Sequence, residues 1–240
     1  MVPAMFAPFA FAGHEMLLGQ GRALYWPAER ALLVADLHLE KASWFAQRGS
    51  MLPPYDSRDT LERLADAVRI TGARRVITLG DNFHDDAGAL RLDAHCTGML
   101  EALTRALDWV WITGNHDEAL PRGFGGTIVP ELEVGGITLR HQAYPGETRP
   151  ELSGHYHPKL RMNVRNRHIA RPCAVMGRSA DGSARSGADR MILPAFGTLT
   201  GGMDAGAPEI CAALQPAFRI EALMPARGQI ARFPLWQAAA

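Results

Sequence analysis

A chain of 240 residues, 47% of them hydrophobic, suits one compact α/β domain with a full core, so residues 1–240 are read as a single domain. Its 25 basic and 25 acidic residues cancel, which excludes a global field for nucleic acid or an anionic membrane; any such attraction must be local. Cys96, Cys173 and Cys211 are odd in number and far apart, which argues against a disulfide framework or a thiolate zinc site.

Met1 to Ala12 is apolar, but no basic residue precedes it, so it reads as a first strand or extended N-terminus rather than a signal peptide. No apolar run reaches the length of a bilayer span, and a cytoplasmic location is expected. Phe9 to Leu18 and Leu24 to Trp26 read as short strands joined across Gly19-Gln20-Gly21. Ala31-Leu32-Leu33-Val34-Ala35 is a continuous apolar strand, buried on both faces. Asp36-Leu37-His38 ends it, and in an extended segment residues two apart point the same way.

After Pro53-Pro54-Tyr55, Asp56 or Ser57 is expected to cap a helix with the apolar stripe Leu61, Leu64, Ala65 and Val68, stopped by Gly72. Arg75-Val76-Ile77-Thr78-Leu79 is the next buried strand; Gly80 breaks it and sets Asp81 at its carboxyl end, where an α/β sheet opens its crevice. The strand–helix–strand order makes the two strands parallel. Asp85 or Asp86 is expected to cap a further helix carrying Leu92, Met99, Leu100, Leu103 and Leu107, and Trp109-Val110-Trp111-Ile112 then runs into Thr113-Gly114-Asn115-His116-Asp117.

The second half is strand-rich. Thr127 to Val134 and Ile137 to Arg140 flank Gly135-Gly136, a hairpin signal, and strands follow at Ala170–Met176, Met191–Phe196, Phe218–Leu223 and Gln229–Phe233. Gly177 to Gly187, rich in Ser, Gly and Ala, reads as a mobile surface loop. Two packed sheets with helices outside are therefore expected rather than one doubly wound sheet.

Six of the nine histidines fall at or beside the polar strand ends: His38, His84, His116, His141, His155 and His157. With Asp36, Asp81 and Asn115 they offer carboxylate, imidazole and carboxamide without thiolate, a set that suits Mn²⁺, Fe²⁺ or Zn²⁺. Asp36, His38, Asp81, Asn115, His141, His155 and His157 exceed what one ion needs, and a pair of ions sharing Asp81 fits. Two such ions hold a phosphoryl oxygen and lower the pKa of a water between them. His14, His95 and His168 match no motif.

The ordered set Asp36-x-His38, Gly80-Asp81, Gly114-Asn115-His116-Asp117, His141 and Gly154-His155-x-His157 resembles the calcineurin-like metallophosphoesterase family. The resemblance implies a mixed α/β, four-layer fold: two packed mixed β-sheets flanked by helices. It implies one ion on Asp36, His38, Asp81 and His157, and another on Asp81, Asn115, His141 and His155, with Mn²⁺ the first choice of metal. It implies that His116 contacts the phosphoryl group and helps protonate the leaving oxygen, with Asp117 orienting it. His84 is left between touching phosphate and a structural role.

Val34 to Lys41, Pro53, Asn82-Phe83-His84-Asp85, Leu193 to Gly197 and Thr200-Gly201-Gly202 are similar to the ligase-associated metallophosphoesterases. Those are bacterial proteins encoded beside a DNA ligase and a helicase and implicated in DNA repair. A phosphodiester substrate is implied, with DNA as its expected form and an endonuclease as the expected activity. Between Pro158 and Arg190 eight basic residues face two acids, and Arg165 and Arg167 in this stretch are candidates for touching a nucleic-acid backbone. No aromatic platform or helix-turn-helix signal for reading bases is evident.

One rival is a phosphoesterase of nucleotides or other small phosphoesters. Within it, the lipid-A pathway pyrophosphatase shares an Asp-Leu-His-Leu start but carries Arg where this chain has His116. The other rival is a non-catalytic protein-binding scaffold, which the full set of motif residues disfavours.

Overall fold

The structure is a computed structural model; it describes residues 5–117, 123–165, 167–179 and 188–238. Its first sheet runs in the order β1 (Phe6–Phe11), β2 (His14–Gly19), β3 (Leu24–Trp26), β4 (Ala31–Val34), β5 (Arg75–Leu79), β6 (Asp108–Ile112) and β7 (Thr127–Val129). The second is ordered β16 (Gln229–Gln237), β15 (Arg219–Ala226), β13 (Ala174–Arg178), β14 (Arg190–Ile192), β10 (Glu151–Ser153), β9 (Ile137–Arg140) and β8 (Glu131–Val134). A separate two-stranded ribbon joins β11 (Lys159–Val164) to β12 (Arg167–Pro172).

Helices cover the outer faces. In β4, Ala31 and Leu33 enter the core between the sheets, while Leu32 and Val34 meet Leu61 and Leu64 of α2 (Asp56–Thr71) and Leu100 of α3 (Ala94–Ala106). Both faces are buried, which is why the run carries no polar alternation. Facing it across the inter-sheet core are Ile137, Leu139, Leu152, Met176 and Met191. Behind the second sheet, Val175, Ile192 and Ile220 pack on Ile210 and Ala213 of α4 (Pro208–Ala213). The four layers are those expected. Strands β4, β5, β6 and β7 pair parallel, as do β9, β10 and β14.

Several local expectations are corrected. The run from Phe9 to Leu18 is two strands, because Ala12 and Gly13 both take positive φ (49° and 81°) and close a tight hairpin. Thr127 to Val134 also splits, at Pro130: its first part extends the first sheet and its second part pairs with β9 across the Gly135-Gly136 turn. Neither Asp56 nor Ser57 caps α2; Asp56 accepts from the Ala42 amide (3.0 Å) and Ser57 exchanges hydrogen bonds with Glu40 (2.8 Å each). They tether α2 to the segment following His38. Asp85 is likewise taken by Arg91 (3.0 Å), and α3 is capped by Asp93, which accepts from Cys96 N (2.7 Å). Of the stretch read as a loop, Gly177 and Arg178 belong to β13, Ser179 follows the strand, and residues 180–187 lie outside the described residues.

The register of the second sheet aligns Glu151 of β10 with Arg190 of β14, both about 1% exposed. Arg190 Nε donates to Glu151 Oε2 at 2.8 Å, and its other nitrogens reach the carbonyls of Gln215 (3.1 Å) and Tyr144 (2.6 Å). Removing one partner of such a pair strands a buried charge, which typically costs about 3–5 kcal/mol. Arg190→Met is expected to lose that much in urea unfolding, and adding Glu151→Leu to recover much of it. A single-variant loss below about 1 kcal/mol would show the pair to be dispensable.

Candidate metal centre

Every motif residue named from the sequence lies just past the carboxyl end of a parallel strand: Asp36 and His38 after β4, Asp81 after β5, Asn115 and His116 after β6, His141 after β9, His155 and His157 after β10. Backbone bonds zip the first two loops together, with His38 N donating to Asp81 O (2.8 Å) and Leu39 N to Asn82 O (2.9 Å). The glycines beside the ligands keep this space open. A Cβ on Gly114 would lie 2.2 Å from Asp81 Oδ1, and one on Gly80, which has φ +79°, would lie 2.3 Å from His141 Nδ1.

Asp36 and His38 do share a direction, but not through extended backbone. Both are left-handed (φ 53° and 44°), as are Glu40, Asp81, His155 and His157. Left-handed residues other than glycine carry strain of about 1–3 kcal/mol each, and their clustering at one cleft marks a functional site.

Three groups form, each with ligand atoms all within 4.8 Å of one another: Asp36, His38, Asp81 and His157; Asp81, His141 and His155; and His38, His84 and His116. Asp81 belongs to the first two. Its Oδ2 lies 3.5 Å from His38 Nε2, and its Oδ1 lies 3.4 Å from His141 Nε2. In the first group His157 Nε2 is 3.2 Å from His38 Nε2 and 3.5 Å from Asp36 Oδ1. In the second, Asn115 Oδ1 lies 3.0 Å from both His141 Nε2 and His155 Nδ1. His141 Nδ1 sits 2.9 Å from the Leu79 carbonyl, which can only accept, so Nδ1 carries the proton and Nε2 turns a lone pair into the cleft. Burial holds His38 and His155 below the ordinary histidine range, assisted by neighbouring imidazoles. Imidazoles and carboxylates gathered this closely are a donor set for a cation. The residues therefore fit a divalent metal.

His116 stands on the rim. Its amide donates to Asp81 Oδ1 (3.1 Å), and its Nδ1 lies 2.9 Å from the His84 carbonyl, to which it must donate. Nε2 is thus the ring nitrogen left outside this bond. The orienting role expected of Asp117 passes to that carbonyl. Both Asp117 oxygens are occupied by backbone amides, Oδ2 by Asn82 (2.6 Å) and Phe83 (3.2 Å), Oδ1 by Gly114 (2.8 Å). Asp117 instead locks the Asp81 and Asn115 loops together, and burial raises its carboxyl's pKa against those bonds.

His84 lies between His38 (Nδ1 to Nδ1, 3.3 Å) and the stacked His116 ring (5.2 Å between centroids). Burial, then the charge of Lys41, pushes it down to about 4. Trp44 and Phe45, which the sequence reading did not single out, lie against it. Arg165 and Arg167 are exposed at the turn of the β11–β12 ribbon, which starts two residues after His157. The basic stretch is less free than its count suggests, since Arg178 pairs with Asp189 (3.3 Å) and Arg190 is buried; Arg185 lies outside the described residues. Of the histidines without a motif, His14 bonds Gly135 O (3.0 Å) and packs on Trp26, while His95 and His168 are exposed.

A cleft of this kind, fed by the strand ends of two stacked sheets, defines a metal-dependent phosphoester hydrolase. The chain belongs to the calcineurin-like phosphoesterase family, whose profile matches residues 29–223. Among solved structures it is similar to the Pseudomonas putida nuclease MPE, at 27% identity and a TM-score of 0.68, over 95% of this chain and 100% of that one. Its match to YfcE, a phosphoesterase from E. coli, is at 13% identity and a TM-score of 0.38, over 85% and 98% of the two chains. A comparison with curated protein sequences finds no match. Among the described residues no helix is long and apolar enough to cross a membrane.

Proposed function

We propose that this protein is a Mn²⁺-dependent phosphodiesterase that cuts DNA internally, in repair and in the cytoplasm. The observation that carries the reading is the pair of donor groups sharing Asp81, with the free Nε2 of His116 on its rim. The full-length likeness to a nuclease and the basic ribbon beside His157 support DNA over a small ester. Functional association with a DNA ligase and a helicase is what the closer sequence resemblance implies.

Two divalent ions bound there would polarise the phosphoryl oxygens and acidify a water for in-line attack. The chain's own share is positional. Asp36, His38, Asp81 and His157 would hold one ion, and Asp81, Asn115, His141 and His155 the other. His116 Nε2 would hand a proton to the leaving oxygen, while Arg165 and Arg167 would hold the strand.

The test offers Mn²⁺-loaded protein bis(p-nitrophenyl) phosphate, p-nitrophenyl phosphate and covalently closed circular DNA in parallel. Faster turnover of the diester than the monoester, and opening of the circle, are expected. Arg165→Ala with Arg167→Ala should weaken DNA binding and lower its salt slope by about one to two, with little change on the small diester. Preference for the monoester, or an untouched circle, would favour the small-phosphoester reading.

A further inference from the structure

The short helix α1 (Lys41–Ala46) follows the His38 segment directly. Lys41, Trp44 and Phe45 stand at i, i+3 and i+4, the spacing of one helical face, and Arg48 lies in the turn that follows the helix. Contacts show which way that face looks. The Trp44 ring meets the His84 ring edge-on at 4.9 Å, and Phe45 lies nearly parallel to it at 6.2 Å. His84 in turn stacks on His116.

These aromatics are not core. Trp44 and Phe45 are each only partly buried and belong to none of the three apolar clusters that hold the layers together. The Trp44 indole meets the Phe45 ring edge-on at 5.0 Å, and the exposed Arg48 guanidinium lies over it, 3.6 Å from the ring centroid. Among the described residues neither Arg48 nor the half-buried Lys41 has a carboxylate within ion-pair distance. The helix itself is held firmly: Ala42 N is bonded to Asp56, and Ser43 Oγ accepts from Arg91 Nε at 2.9 Å.

We propose that this face is the wall that receives the nucleoside on the leaving side of the substrate, its base stacked on Trp44 and its flanking phosphate met by Arg48 or Lys41. The wall is joined to the rim through His84 and His116, and His116 is the group proposed to protonate the leaving oxygen. It therefore borders that side of the cleft. An aromatic face with a neighbouring guanidinium suits a nucleobase of any sequence, because every base offers a π-face. The inference rests on the diesterase reading above and adds its specificity element.

The test uses two diesters that share the retained nucleoside and differ on the leaving side, one a second nucleoside, the other a methyl group. For the metal-loaded protein, the ratio of kcat/KM between them measures the wall. Trp44→Ala should lower that ratio roughly tenfold, and Trp44→Phe, which keeps a ring, should largely preserve it. Should Trp44→Ala fail to fold, indole fluorescence decides: a deoxynucleoside monophosphate should quench the wild type more than methyl phosphate does, and Trp44→Phe should lose the difference. Equal losses on both diesters, or equal quenching by both phosphates, would make Trp44 a mere prop for His84 and overturn the proposal. A wild type active on bis(p-nitrophenyl) phosphate with no preference for the leaving nucleoside would overturn the wall alone. Inactivity on every diester would sink the diesterase reading and the wall with it.

Discussion

Asp81→Asn is expected to drop hydrolysis to background and to weaken metal binding in both halves of the centre. Each carboxylate oxygen serves one half: Oδ2 faces His38, and Oδ1 faces His141. An amide keeps one oxygen and replaces the other with an N–H donor. Whichever way it turns, one half gains hydrogen atoms where a cation needs a lone pair, and the negative charge shared by both is gone. The substitution is nearly isosteric, so the fold should survive, and circular dichroism would verify that. Elemental analysis is the deciding measurement. A folded Asp81→Asn protein that still retains two ions per chain would refute the shared ligand.

His116→Ala is expected to behave differently, leaving the metals bound while turnover falls about 10²–10⁴-fold, the usual loss for a positioned general acid. The ring is anchored through Nδ1 to the His84 carbonyl, so its free Nε2 is fixed in direction before substrate arrives. The loss should depend on the leaving group. An alkoxide, as in DNA, is a strong base and needs the proton; a nitrophenolate is a weak base and needs it less. The variant should therefore lose more on an alkyl diester than on a nitrophenyl one at matched metal occupancy. An identical loss on both would mean that His116 only binds phosphate, and loss of metal would make it a ligand.

How much of this was legible depended on what each residue had to satisfy. Strands β4, β5 and β6 are buried on both faces and bounded by glycine or polar residues, so their apolar runs stood out, as did the strand-end positions of Asp81 and Asn115. The histidines, with Asp36 and Asp81, stood out by their spacing as a candidate set, and the fold brings them to one cleft. What stayed hidden was backbone handedness and allegiance. Nothing in Asp36-Leu37-His38 announces two left-handed residues, and a β-run such as Thr127 to Val134 does not say that its halves join different sheets. Asp56, Ser57 and Asp85 look like caps because capping is a local bargain, whereas here more distant partners claim their oxygens. Trp44 and Phe45 were passed over because two adjacent aromatics in a short segment read as packing until His84 is seen beside them.

The two sheets contribute in different proportions to the two donor groups that share Asp81. Asp36, His38 and Asp81 come from the first sheet and meet only His157 from the second, while Asp81 and Asn115 meet His141 and His155. Neither donor group is complete on one sheet alone. An ion in each would act as a rivet through the seam between the layers, and a species that binds only the assembled form stabilises it in proportion to the logarithm of its concentration. The unfolded chain, with its donors scattered from residue 36 to residue 157, has no comparable grip. Metal supply would then affect mechanical cohesion as well as turnover, and starvation for the ion would loosen the seam at the very edge where the donor groups lie.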